Sequence, residues 1–318
     1  MSWPARAVVT GGAGLIGSHL CERLVEGGTE VVCVDDLSTG RVGNLAALDG
    51  HPRFSLVVAD VVDRLPVEGP IDAVCHLASP ASPPDYLARP IDTLRTGAEG
   101  TRRALELASA AGARFLLAST SEVYGDPLEH PQHERYWGNV NPVGPRSVYD
   151  ESKRYAEALT TAYRSSRGAD TAIARIFNTY GPRLRPGDGR VVSSFVVAAL
   201  EGRPLPVHGD GRQTRSFCYV DDQVTGLLAL LRSSLPGPVN IGNPEERTVA
   251  ELADLVIELT SATSTVEHLP LPEDDPTRRC PDITLATSEL GWRPAVDLTT
   301  GLRRTIEWFR RHQEPVTG

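Results

Sequence analysis

Short apolar runs alternate along this chain with helix-length amphipathic segments. Arg6–Thr10, Glu30–Asp35, Phe54–Asp60, Asp72–Ala78, Arg114–Thr120 and Thr171–Phe177 read as strands, built largely from Val, Leu, Ile and Ala. Near-continuous apolar strands suit burial on both faces by crossover helices, so the rhythm predicts an α/β fold with a Rossmann-type doubly wound parallel sheet. After Asn178 the texture changes. Tyr180–Gly189 is rich in Pro, Gly and Arg, and shorter pieces follow without the regular beat. We therefore expect a Rossmann domain over residues 1–178, rejoined by about 217–237, and a smaller, mainly substrate-binding α/β domain over 179–318. Leu271–Pro276 reads as an acidic surface loop and Thr299–His312 as an amphipathic closing helix. Two long helical patterns, Ile91–Ala111 and Tyr149–Arg167, fall on one side of the sheet. Apolar outer faces there would make a four-helix seam between two copies, whereas inward faces alone would only cover the sheet, and periodicity leaves both open.

Composition narrows the partners. Asp and Glu exceed Lys and Arg by nine, and no basic run of the kind that coats nucleic acid or an anionic membrane is present. The five cysteines are scattered, with no C-x-x-C pair, which suggests reduced thiols and neither a metal site nor a disulfide framework. The histidines are too dispersed to suggest a metal. The first strand begins too near the N-terminus to leave room for a signal peptide, and no apolar run approaches the ~20 residues of a membrane span. The expectation is a soluble cytoplasmic protein.

Gly11-Gly12-Ala13-Gly14-Leu15-Ile16-Gly17 directly follows a strand and opens a helix, the context that makes a glycine pattern informative. Glycines let the backbone approach a pyrophosphate, whose charge then sits at the positive end of the helix. A structural turn would need no more than the glycines. Here the second strand also ends in Asp35, where a carboxylate can accept from the adenosine ribose and repel a 2′-phosphate, favouring NAD over NADP. Asp36, Ser38 and Gly40 follow it. Asp60 and Val61 after the third strand, and Leu77 and Ala78 after the fourth, stand at the carboxyl edge where open α/β sheets bind ligands.

Tyr149 and Lys153 are four residues apart, so on a helix they share one face. The lysine charge would favour ionisation of the phenol, as general base catalysis needs. An exposed surface pair has the same spacing, but this one follows a strand ending in Ser119-Thr120-Ser121-Glu122, and the Thr120 hydroxyl could share one substrate oxygen with Tyr149. His76, among apolar strand residues, reads as a packed histidine.

The glycine loop, Ser119-Thr120-Ser121-Glu122-Val123-Tyr124-Gly125 and Tyr149-x-x-x-Lys153 resemble the extended short-chain dehydrogenase/reductases that modify nucleotide sugars. His76–Pro84, Tyr136–Pro142, Ala174–Arg183, Gly189–Val192 and Gln213–Arg215 resemble the branch of that family that decarboxylates UDP-glucuronate to UDP-xylose. The similarity runs from about Val8 to Phe309. It implies bound NAD, a UDP-sugar substrate and a homodimer. It further implies Tyr149 as base, Lys153 orienting NAD, Thr120 sharing the substrate O4, and Glu122 and Arg279 completing the catalytic set. Asn178, Arg183, Arg190, Val191, Gln213 and Arg215 fall in motifs that hold the UDP-sugar. Gly97 is a departure, since relatives usually carry Asn there.

The chemistry fits these residues. A carboxylate leaves a saturated carbon only if its electrons have somewhere to go, and oxidising C4 makes the C5 carboxylate part of a β-keto acid. The resulting enolate oxygen would lie among the Tyr149 and Thr120 donors. Sugar-nucleotide 4,6-dehydratases carry an Asp at the position of Ser121 to protonate a departing hydroxyl, and 4-epimerases usually lack a carboxyl group at the position of Glu122. The expected division of labour gives Glu122 the C5 proton or water, and gives Arg279 the sugar carboxylate or, alternatively, the pyrophosphate. A 4-epimerase of the same family and a non-catalytic NAD sensor are the competing functions.

Overall fold

The computed structural model describes residues 2–312. The chain runs β1 (Arg6–Thr10), α1 (Leu15–Glu26), β2 (Glu30–Asp35), β3 (Phe54–Val58), β4 (Ala73–His76), α2 (Pro83–Ala88), α3 (Pro90–Arg95), α4 (Thr101–Ala111), β5 (Arg114–Thr120), α5 (Ser147–Arg167) and β6 (Thr171–Ile176). It continues with β7 (Thr179–Tyr180), α6 (Val191–Leu200), β8 (Leu205–His208), β9 (Thr214–Ser216), β10 (Cys218–Tyr219), α7 (Val220–Leu231) and β11 (Val239–Ile241). The last elements are β12 (Glu246–Thr248), α8 (Val249–Thr260), β13 (Val266–Leu269), β14 (Arg278–Arg279), α9 (Thr284–Leu290) and α10 (Leu298–His312).

Seven strands form one parallel sheet in the order β11-β6-β5-β4-β1-β2-β3. Helices cover both faces, and Val8, Val9, Val31, Val74, Leu116 and Leu117 are buried in its core. The order reverses between β1 and β4, which opens a crevice at the carboxyl ends of the strands. The remaining short strands pair among themselves, β9 with β12 and β14, β8 with β13, and β7 with β10. Of these, Thr179 of β7, Pro206 and His208 of β8 and Arg215 of β9 line the crevice.

The third and fourth strands are shorter than their apolar runs. Asp60 leaves the ladder to accept the Val62 amide in a turn (2.8 Å), and Leu77 and Ala78 emerge at the crevice. The pattern over Ile91–Ala111 is not one regular helix either: Thr96–Gly100 is a π-helical turn between α3 and α4. There Gly97 packs so closely on the catalytic-motif helix α5 that a Cβ would lie 2.5 Å from Ser152 Cβ. After the sequence has left the first βα series, α7 packs against α1 and β11 completes the edge of the main sheet.

Candidate active site

A cavity of about 940 Å³ runs over the carboxyl ends of β1, β2, β4 and β5 toward the loops after β6. At one end the glycine loop is closed against its surroundings. A Cβ on Gly11 (φ +69°) would sit 2.6 Å from the Ala78 amide nitrogen, and one on Gly17 would sit 2.2 Å from the Gly11 carbonyl oxygen. No larger residue fits either position without moving backbone. Helix α1 then begins with no side-chain cap and no acidic residue in its first turn, so its amides face the cavity uncontested by a carboxylate. Asp35 is buried and accepts from the Ala13 amide and the Leu37 amide, each at 2.9 Å. Burial raises its pKa while these two bonds oppose the rise, and each oxygen keeps a lone pair for a ribose hydroxyl. Gly40 closes on the same carboxylate: its Cβ would lie 2.8 Å from Asp35 Oδ1. Gly14, Leu15, Ile16, Asp36, Ser38, Asp60, Val61, Leu77 and Ala78 share this end of the wall. A glycine cradle, a bare helix start and a terminal Asp fit an adenine dinucleotide.

At the centre, β5 delivers Thr120 and the first two turns of α5 deliver Tyr149 and Lys153. Tyr149 is buried and hydrogen-bonded to Thr120; burial pushes its phenol up to about 12, with that bond pulling the other way. Lys153 is the only lysine in the sequence. Its Nζ donates to the Ala118 carbonyl (2.9 Å) and lies 5.9 Å from the Tyr149 ring centroid, and burial lowers its pKa to about 8. The expectation that the lysine charge lowers the phenol pKa is corrected here: burial raises it, and the ammonium is turned toward the Ala118 carbonyl of β5. Tyr86 stacks on Tyr149 at 5.3 Å and 7°, a contact with no signal in spacing or composition beyond an aromatic after Pro83-Pro84. His76 is packed as expected, sharing hydrogen bonds with Thr10 (2.8 Å) and Thr101 (3.2 Å), and burial lowers it to about 3.

Beside Thr120, Glu122 lies between two guanidiniums. Arg279 ion-pairs with one oxygen and Arg146 with the other at 2.8 Å. Burial favours the neutral acid, but the two arginines overcome it and hold the carboxyl well below its usual range. Arg279 is 1% exposed, donates to the Gly125 carbonyl (2.8 Å) and is absent from the cavity wall, which Glu122 and Arg146 do line. The sequence motifs did not single out Arg146. Its only signal is a place three residues before Tyr149.

At the far end Asn178, Arg183, Arg190, Val191, Gln213 and Arg215 all line the cavity. Arg183 holds φ +71°, an uncommon conformation for a side-chain-bearing residue, and pairs with Glu22. Arg190 pairs with Asp188, Arg215 with Asp275 (2.9 Å), and Gln213 donates to the His208 carbonyl (2.7 Å). The five cysteines are free and buried. Among the described residues no cluster could hold a metal ion, and no helix is long and apolar enough to cross a membrane.

The sequence model of the NAD dependent epimerase/dehydratase family matches residues 7–242. This chain belongs to that family. Among its relatives, UDP-glucuronic acid decarboxylase 1 of Danio rerio is 52% identical over 309 residues, 97% of this chain and 73% of the relative. UDP-glucuronic acid decarboxylase 1 of Arabidopsis thaliana is 52% identical over 305 residues, 96% of this chain and 70% of the relative. The dTDP-glucose 4,6-dehydratase of Streptomyces venezuelae, solved with NAD bound, superposes with a TM-score of 0.87 at 32% identity, over 96% of this chain and 97% of that one. In this chain the crevice has Thr120, Tyr149 and Lys153 at its centre, with Ser121, Glu122 and the two arginines beside them.

Proposed function

We infer that this protein is an NAD-dependent carboxy-lyase that converts UDP-glucuronate to UDP-xylose and carbon dioxide. The observation that carries the reading is the Arg146–Glu122–Arg279 clamp beside Thr120 and Tyr149, in a chain half identical to relatives named for that activity. Gly11, Gly14, Gly17 and Asp35 are assigned to NAD, with Asp60, Val61, Leu77 and Ala78 along its length. When bound, NAD accepts a hydride from C4 of the sugar and later returns it.

Tyr149 takes the proton of the C4 hydroxyl, and Thr120 fixes the same oxygen. Lys153, whose Nζ donates to the Ala118 carbonyl (2.9 Å), would hold NAD in the crevice and supply a positive charge near the phenol. The C4 ketone then makes the C5 carboxylate a β-keto acid, and carbon dioxide leaves with the enolate oxygen held by Tyr149 and Thr120. Glu122, kept ionised by its two arginines, orients the water that gives a proton to C5, and Tyr149 returns its proton to the C4 oxygen as the hydride comes back. Arg146, at the wall, is placed to meet the sugar carboxylate, and Arg279 acts by holding Glu122. Asn178, Arg183, Arg190, Val191, Gln213 and Arg215 hold the UDP portion. Ser121 supports decarboxylation over dehydration, since no acid stands there to expel a hydroxyl.

We assign the adenosine half of the crevice to a domain of residues 1–178 and most of the UDP-sugar half to 179–318. Leu87, Ile91, Leu94 and Tyr155, exposed on the adjoining helices α2, α3 and α5, support a homodimer joined through those helices. Five unpaired thiols support a cytoplasmic location. The test is incubation with UDP-glucuronate labelled at the carboxyl carbon. The reading expects labelled carbon dioxide and UDP-pentose in equal amounts, no net NADH, and a loss of about 10²–10⁴-fold in Tyr149→Phe. A UDP-uronate isomer without gas would mark an epimerase, and unchanged substrate a sensor.

A further inference from the structure

Behind Glu122 the wall contains an unusual set of buried groups. Asp150 Oδ1, Arg146 Nε, Arg279 Nε and the Tyr86 hydroxyl all lack a hydrogen-bond partner. Native interiors rarely leave such atoms unsatisfied. Asp150 lies next to Tyr149 in the first turn of α5 and is 5% exposed. It is subject to Glu122 from the turn after β5, Arg279 from β14, Tyr86 from α2, and Arg146, Tyr149 and Glu151 on its own helix.

The charges here can be counted. Arg146 and Arg279 share Glu122, and Asp275 bridges Arg146 (3.4 Å) to Arg215 (2.9 Å). Three guanidiniums against Glu122 and Asp275 leave one positive charge if Asp150 is neutral and none if it is ionised. A uronate carboxylate at the wall would supply that third anion.

We propose that Asp150 is a proton-holding positioning residue, and that UDP-glucuronate binds to the form in which Asp150 is neutral. This deepens the decarboxylase reading and rests on it for the identity of the ligand. Where Asp150 is already ionised, binding draws one proton from solution onto its carboxyl group, and no other bond changes. The site thus takes a uronate in preference to a neutral sugar by having a charge vacancy it can open or close. Burial first, and then Glu122, raise the Asp150 carboxyl to about 7, so the exchange falls in the neutral range. In the free enzyme the binding-competent form is lost as pH rises through that value, and kcat/KM falls with it.

The test is calorimetric titration of the NAD-loaded Tyr149→Phe protein at pH 7.5, in phosphate and in Tris. The dependence of the binding enthalpy on the buffer's ionisation enthalpy gives the protons taken up. UDP-glucuronate should take up about 0.8 proton, the ionised fraction at that pH of a group with a pKa near 7. UDP-xylose, which lacks the carboxylate, should take up close to none. In the same background Asp150→Asn should abolish the uptake while still binding UDP-xylose, which also reports that it is folded. Equal uptake for the two ligands, or uptake that survives Asp150→Asn, overturns the proposal. Failure of the wild-type protein to release carbon dioxide sinks the decarboxylase reading separately, because the proton count needs no turnover.

Discussion

Gly97 is held against the catalytic-motif helix more tightly than any larger residue could be. A Cβ at residue 97 would fall 2.5 Å from Ser152 Cβ, 3.0 Å from the Ser152 carbonyl oxygen and 3.1 Å from Ser152 Cα. These atoms belong to the helix that carries Tyr149 and Lys153, so they cannot rotate away. Overpacking of this kind costs about 1–3 kcal/mol, and replacing a helical glycine returns a few tenths, so Gly97→Asn should destabilise by about 2 kcal/mol. Ser152→Gly removes a helix-favouring side chain and the bond from Ser152 Oγ to the Tyr149 carbonyl (2.7 Å), together about 1 kcal/mol. If the two changes were independent, the double variant would lose about 3 kcal/mol. Because Ser152 Cβ is the nearest obstacle, we expect the double variant to lose only about 1 kcal/mol, a coupling well outside the additivity error of about 0.5 kcal/mol. Urea unfolding of the four proteins measures this. Turnover should fall in Gly97→Asn and recover in the double variant, since Tyr149 and Lys153 flank Ser152. A Gly97→Asn protein within about 0.5 kcal/mol of wild type, or a strictly additive double variant, would refute the close-packing argument.

Three further outcomes are expected. Glu122→Gln leaves Arg146 and Arg279 buried around a neutral group, so stability should drop by about 3–5 kcal/mol on chemical denaturation; undiminished carbon dioxide release in this variant would remove Glu122 from the reaction. Gly17→Ala drives a methyl into the Gly11 carbonyl and should weaken NAD binding at least about tenfold by calorimetry, whereas unchanged affinity would show that the loop is not the dinucleotide cradle. Because Lys153 is the only lysine, an amine reagent at pH 8.5 should add one label beyond the N-terminus by intact mass, and saturating NAD should block it; labelling at the same rate with NAD present would contradict Lys153's contact with the cofactor.

Much of this was legible in the sequence because it depends on local pattern. Three of the six apolar runs match strand bounds to the residue, and the other three include short turns that belong to the crevice instead of the ladder. Period alone cannot register such a turn, since Asp60 and Ala78 continue the run while their backbones are already leaving it. The π turn at Thr96–Gly100 is equally silent, because one extra residue per turn barely disturbs a helical pattern. Of the assigned site residues, those set by a strand end or a helix repeat lie on the cavity wall. Arg279 does not: the family resemblance marks it, but its depth depends on how β14 meets β9 after long intervening loops. Arg146 and Tyr86 were missed for the same reason, since their importance comes from partners far away in sequence.

The acidic balance of the chain raises a question for a site that binds a nucleotide diphosphate and a carboxylate. Five cavity arginines answer it by being paired with the protein's own carboxylates: Arg183 with Glu22, Arg185 with Asp85 (2.6 Å), Arg190 with Asp188, Arg215 with Asp275 and Arg146 with Glu122. A guanidinium held by one carboxylate keeps further N–H donors and a fixed plane, so it can present donors to a phosphate without first losing side-chain freedom. The field each pair projects is short-ranged, and recognition depends on reaching these donors at close quarters instead of on attraction from a distance. A protein nine charges negative can therefore hold a polyanion, provided the arginines are fixed before it arrives. The same economy leaves the wall beside Glu122, where three guanidiniums meet two committed carboxylates, as the place in this network where one further anion completes the balance.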